Sequence, residues 1–125
     1  VLERAARYSK ERVTFGHPIC ENQAIAFKLA EMATEIEVAR AMLYNTARMS
    51  DNGVPFSKEA TMCKMFCSEM CVRVCDMGLQ IMGGYGLCNE YEVERFYRDA
   101  KLLTIGEGTS EICRMVVGRH VLKEY

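Results

Sequence analysis

Glu107 stands between two glycines in the run Gly106-Glu107-Gly108-Thr109-Ser110-Glu111. A carboxylate is a competent proton acceptor. For abstraction beside a carbonyl it also needs hydrogen-bond donors that stabilise the charge left on the substrate. The residues that follow supply that setting. Thr109 or Ser110 is a natural N-cap whose side-chain oxygen accepts an orphan amide of the first helical turn. Glu107 then lies just upstream of a helix N-terminus, with free backbone N–H groups beside it. The flanking glycines let a substrate approach the backbone closely. The same six residues also read as two helix ends with Glu107 a solvated loop residue.

Two more glycine-marked junctions carry chemistry. In Arg12-Val13-Thr14-Phe15-Gly16 the guanidinium presents a fork that matches phosphate oxygens; equally, it is a cation offsetting a helix C-terminus. In Gln80-Ile81-Met82-Gly83-Gly84-Tyr85-Gly86 the glycines serve as a C-cap and turn. They also allow the backbone to lie against a flat or phosphorylated ligand, with Gln80 supplying an amide. This is not a G-x-G-x-x-G fingerprint, and no strand signal precedes it.

The elements that must position these junctions are helical. Leu2 to Arg12 reads as a helix stopped by Gly16 and Pro18. A long helix follows, about Asn22 to Met49, with Ile25, Leu29, Met32, Ile36, Ala39, Leu43 and Ala47 forming a seam. Asp51-Asn52-Gly53 and Pro55 turn the chain, and Ser57 is the expected cap of the next helix. That third helix, about Lys58 to Met82, is apolar on most sides, which predicts burial at the centre or against another subunit. The fourth, roughly Glu90 to Leu103, is expected to bury Val93, Phe96, Tyr97, Ala100 and Leu103. The fifth, Thr109 to Lys123, is expected to use Ile112, Val116 and Val117. With no strand signal and no repeat, the fold class is all-α: an up-and-down four-helix-type bundle with an additional short helix.

Composition narrows the function. The 125 residues suit one domain, half of them are hydrophobic, and the formal net charge is −1. No basic cluster is present and no apolar run is long enough to span a bilayer, so neither a nucleic-acid nor a membrane partner is expected. Cys63, Cys67, Cys71 and Cys75 make a stripe on one helix, spanning roughly 18 Å, too long for one tetrahedral zinc site. Small apolar packing residues on a crowded face account for them. Free thiols in odd number point to a reducing, cytosol-like compartment. A di-metal bundle would need Glu-x-x-His pairs, and neither His17 nor His120 follows a glutamate at that spacing.

In this order, with these helices between them, the three junctions resemble the C-terminal helical domain of the acyl-CoA dehydrogenases, of the short/medium-chain type. The resemblance extends to Gln23-Ala24-Ile25-Ala26-Phe27 through Ala33 and to Tyr97-Arg98-Asp99-Ala100, and takes in essentially the whole chain. It implies that Glu107 is the base removing the α-proton of an acyl-CoA thioester, with hydride passing to FAD. It implies that Gly108 lies against substrate and that Thr109, Ser110 and Glu111 contact FAD. Arg12, Thr14, Phe15, Gln23, Gln80, Ile81, Met82, Gly83 and Gly84 would contact the FAD diphosphate and adenosine, largely from a neighbouring subunit. Electron transfer flavoprotein is the implied electron acceptor and a homotetramer the implied assembly. The implied compartment is a bacterial cytoplasm or the mitochondrial matrix. Gly106 departs from the aromatic residue common before the base, which leaves acyl-chain preference open. The chain is expected to be a piece of a longer flavoenzyme, without its N-terminal helical and middle β domains and inactive alone. The alternative is a catalytically silent helical oligomerisation module whose glycine junctions are only caps.

Overall fold

The computed structural model describes all residues, Val1 to Tyr125. Five α-helices account for most of them: α1 (Leu2–Glu11), α2 (Gln23–Asp51), α3 (Ser57–Met82), α4 (Val93–Leu103) and α5 (Ser110–Glu124). Between α1 and α2 lie two short strands, β1 (Val13–Thr14) and β2 (His17–Pro18), paired antiparallel with Val13 opposite Pro18. Short 3-10 turns cover Ile19–Glu21, Gly83–Leu87 and Asn89–Tyr91. The bundle is all-α as expected, with α3 as its axis, packed against each of the other four helices. That explains why α3 is apolar nearly all round. No helix is long and apolar enough to cross a membrane.

The core gathers Ala5, Ile19, Met32, Val74 and Ile81, flanked by half-buried Leu2, Tyr8, Ile25, Leu29, Ile36, Met70 and Met77. It therefore joins α1, α2 and α3 at the end where the hairpin sits. Truncating Met32, fully buried, would cost about 2–5 kcal/mol by lost transfer energy and cavity formation.

Several local expectations change. The connection after α1 is a hairpin, which the chain conceals because two-residue strands are too short to show alternation. The seam of α2 holds to Ala39 and then runs through Thr46, leaving Leu43 and Ala47 exposed. Polar Thr46 fits that face because its hydroxyl is satisfied by the Met42 carbonyl at 2.9 Å. Ser57 does not cap α3: Phe56 holds the cap position without a side-chain bond. In α4 only Val93 and Ala100 are buried, one narrow stripe, while Phe96, Tyr97 and Leu103 stay partly exposed. The Phe96 ring instead carries the guanidinium groups of Arg4 and Arg95, 5.7 and 5.4 Å from its centroid. In α5 the inward residues are Ser110 and Cys113; Ile112 is half exposed.

Candidate functional site

The three junctions form two sites, one at the C-terminal end of α3 and one beside its N-terminal half. The first is a cleft of about 540 Å³ where the end of α1 and the hairpin meet the end of α3. Arg12, Thr14, Ile81, Met82, Gly83 and Gly84 line it, so residues separated by most of the chain face one volume. Arg12 caps α1 in extended conformation, its N–H donating to the Tyr8 carbonyl at 2.8 Å. Its guanidinium lies over the Tyr85 ring, 5.7 Å from the centroid, and forms no ion pair. The fork is thus free to take an anion. Gly83 ends α3 at φ +59, ψ −137, a region that side-chain-bearing residues avoid. That bend turns the backbone of Gly83 and Gly84 along the cleft wall.

Sequence reasoning missed the aromatic side of this cleft. Tyr8 lies one helical turn before Arg12, on the same face, and Tyr85 stands between the glycines. The Tyr8 and Tyr85 centroids are 6.1 Å apart, and both rings pack against Tyr91. Burial lifts the Tyr8 phenol above its ordinary range, with the Arg12 cation pulling the other way. The i, i+4 spacing of Tyr8 and Arg12 was the available signal. Gln23 and Gln80 are exposed and do not line the cleft. Phe15 is fully exposed at the hairpin tip, 101% relative to a free residue, and holds φ +52. For an aromatic residue that is a strained geometry, held by a two-residue turn with positive φ at both positions.

The second site is the α4–α5 junction. Glu107 is exposed and left-handed at φ +55, and Gly108 follows at φ +99. The positive φ at 108 is what requires glycine there. Braces hold the ends of the turn: Gly106 N–H donates to the Leu102 carbonyl at 2.8 Å and Ser110 N–H to Thr104 at 3.0 Å. The N–H groups of Glu107 and Gly108 donate to nothing in the chain. A carboxylate therefore sits beside two unspent amide donors. Thr109 is the N-cap, its hydroxyl accepting from Ile112 N–H at 3.3 Å. The helix-start N–H of Glu111, then the Thr109 hydroxyl, hold the Glu111 carboxyl below its ordinary range. The Ser110 hydroxyl is buried and lacks a partner. An orphan of that kind invites a polar group from outside the chain. From α3, the Lys64 ammonium donates to the Gly108 carbonyl.

Along α3 the residue level with the Glu107 turn, Lys64, is about 25 Å from Ile81 at the cleft. The chain thus brings Arg12 and Thr14 to Ile81–Gly84, and keeps Glu107–Glu111 apart from them.

The family profile described as acyl-CoA dehydrogenase, C-terminal domain, matches residues 1–122. The chain belongs to the acyl-CoA dehydrogenase family. A probable acyl-CoA dehydrogenase of Bacillus subtilis, YngJ, is 53% identical over 98% of the chain and 32% of that protein. The CarC subunit of the caffeyl-CoA reductase-Etf complex of Acetobacterium woodii is 47% identical over 98% of the chain and 32% of its own length. Among solved structures, butyryl-CoA dehydrogenase from Megasphaera elsdenii superposes with TM-score 0.94 at 45% identity, covering 97% of this chain and 32% of that one. The chain therefore spans about a third of the length of these relatives.

Proposed function

We propose that the full-length protein is an FAD-dependent acyl-CoA dehydrogenase in which Glu107 abstracts the α-proton of the acyl thioester. The observation that carries this is the turn itself: a left-handed Glu107 whose carboxylate adjoins its own unspent N–H and that of Gly108. The carboxylate takes the α-proton, and an N–H donor aimed at the thioester carbonyl stabilises the negative charge that develops on its oxygen. Gly108, without a side chain, leaves room for substrate against the backbone. FAD, when bound, supplies the acceptor for the β-hydrogen as hydride, giving the 2-enoyl thioester.

The residues present fit that cofactor. Arg12 and Thr14 offer a free cation and a hydroxyl for a diphosphate, and the Ile81–Gly84 backbone offers a flat wall for a ring. Thr109, Ser110 and Glu111 would hold the flavin end, with the orphan Ser110 hydroxyl as a donor awaiting an acceptor. One chain holds the two sets of contacts apart, at the C-terminal end of α3 and beside its N-terminal half. This supports assembly of each site from two subunits of a homotetramer, Phe15, Gln23 and Gln80 reaching the neighbour's cofactor. Electron transfer flavoprotein is the electron acceptor in this reading, in line with the Etf-linked relative. The remaining two domains of the enzyme would complete the substrate pocket, and the 125-residue domain alone would be inactive.

The test uses the full-length flavoprotein, mixed anaerobically with a panel of acyl-CoAs while oxidised-flavin absorbance is followed. Wild type is expected to bleach with some thioesters. Glu107→Gln is expected to keep its flavin and lose bleaching by at least about a thousandfold, as for removal of an essential base. Near-normal bleaching by Glu107→Gln would place the base elsewhere, and a wild-type protein without flavin would leave an interaction module.

A further inference from the structure

Glu107 and Gly108 are two successive left-handed residues, and such backbone persists only where its surroundings over-determine it. The bonds of Gly106 and Ser110 fix the two ends of the turn. Between those ends the Glu107 and Gly108 amides bond to nothing, and the Gly108 carbonyl is the one group held. It accepts from the Lys64 ammonium and, more weakly, faces the Cys113 thiol at 4.0 Å. Lys64 belongs to α3, forms no ion pair, and is the only lysine that donates to the main chain. One turn on, the buried Ser68 hydroxyl donates to the Lys64 carbonyl at 2.6 Å.

We propose that Lys64 is a positioning residue for the dehydrogenation, locking the Glu107–Gly108 turn to α3 so that the carboxylate and its N–H donors hold one orientation. The proposal rests on the assignment of Glu107 as base. An ammonium donor to a neutral carbonyl makes a charge-assisted bond, about twice as strong as one between neutral groups. Because α3 contacts every other helix, the tether references the turn to the central element of the bundle. Without it the peptide planes on either side of Gly108 keep only the bonds at the two ends of the turn and the weak Cys113 contact. The carboxylate then samples unproductive directions while substrate and flavin are still bound by other residues. Misplacement of a reacting group lowers the rate of the chemical step far more than it weakens binding.

The experiment compares Lys64→Met and Lys64→Arg with wild type in the full-length flavoprotein, reading flavin bleaching against acyl-CoA concentration. For Lys64→Met the saturating bleaching rate is expected to fall roughly ten- to a hundredfold. FAD per subunit and the half-saturating acyl-CoA concentration are expected to stay within about threefold. Lys64→Arg keeps a cationic donor and is expected to recover most of the rate. An unchanged rate in Lys64→Met overturns the assignment. So does a loss shared equally by rate, half-saturation and flavin content in both variants, the signature of a merely structural lysine. Failure of the underlying dehydrogenase reading looks different: the wild type itself is not bleached by any acyl-CoA, and the assignment of Lys64 goes with it.

Discussion

At the scale of single residues, the cysteine stripe of α3 separates packing from reactivity. Cys63 and Cys75 are buried and Cys67 half-buried, with the Cys63 and Cys67 sulfurs 3.7 Å apart. Burial, then the neighbouring Cys63 thiol, pushes Cys67 up to about 11. The thiolate is the nucleophile, so alkylation of Cys67 is expected to climb about tenfold per pH unit and to level only near pH 11. Peptide mapping after timed iodoacetamide treatment checks this; a plateau near pH 9 would contradict it. The linkage has a definite sign. An unfolded cysteine loses its proton near pH 8.5, so the folded state retains a proton the unfolded chain has lost. This contribution is complete below about pH 8.5. It is lost as pH rises through about 11. Cys67 is thus a protonated packing residue at neutral pH, whereas a hydrogen bond from the Cys75 thiol lowers its neighbour Cys71 to about 6.

At the scale of elements, the end of α4 and the start of α5 must meet at a fixed angle for Glu107 to stand clear of the bundle. Thr109 sets that angle from the α5 side by capping Ile112 N–H. The Arg114–Glu69 pair, 2.5 Å, and buried Cys113 seat α5 on α3. The ion pair is half exposed and contributes little by itself. The cap contributes more. Thr109→Ala is expected to lower unfolding stability by about 1 kcal/mol, and Thr109→Ser to retain most of it. Urea unfolding of the full-length protein measures both; equal midpoints for wild type and Thr109→Ala would mean the cap bond is not maintained in solution. The same variant is expected to slow flavin bleaching, because the cap also anchors the turn that carries Glu107, the proposed base.

At the scale of the whole molecule, α3 acts as a ruler that holds the Arg12 cleft and the Glu107 turn about 25 Å apart. If each catalytic site draws Glu107 from one subunit and Arg12 from another, two inactive variants can repair one another. Arg12→Ala alone is expected to lose FAD on dialysis, and Glu107→Gln alone to keep FAD without bleaching. Co-expressed, they are expected to form hybrid oligomers with some sites intact on both sides, so that bleaching exceeds the residual of either parent. No gain in separated hybrids would place both residues in one subunit's site. Apolar side chains on the bundle surface fit such an assembly. Phe15, Phe27, Tyr44 and Leu122 are more than half exposed and would be available to such contacts.

The helices were legible in the sequence because their signals are local. Periodic apolar residues, glycine stops and the Thr109 cap act within a few turns, so α1, α3, α4 and α5 stand within a few residues of their expected bounds. The greasy character of α3 announced burial, at the centre or against another subunit, and its contacts with all four other helices show the centre. The hairpin escaped because Val13–Thr14 and His17–Pro18 are too short to show a period, and the far half of the α2 seam because Thr46 is polar in name but internally satisfied. The chain alone indicated that Glu107 precedes a helix start; only the tertiary structure decided what holds it there. Lys64 and Gly108, or Tyr8 and Tyr85, lie tens of residues apart, and no local propensity encodes their meeting. Packing of α1, α4 and α5 on a single central helix brings them together, and its length keeps the two sites apart.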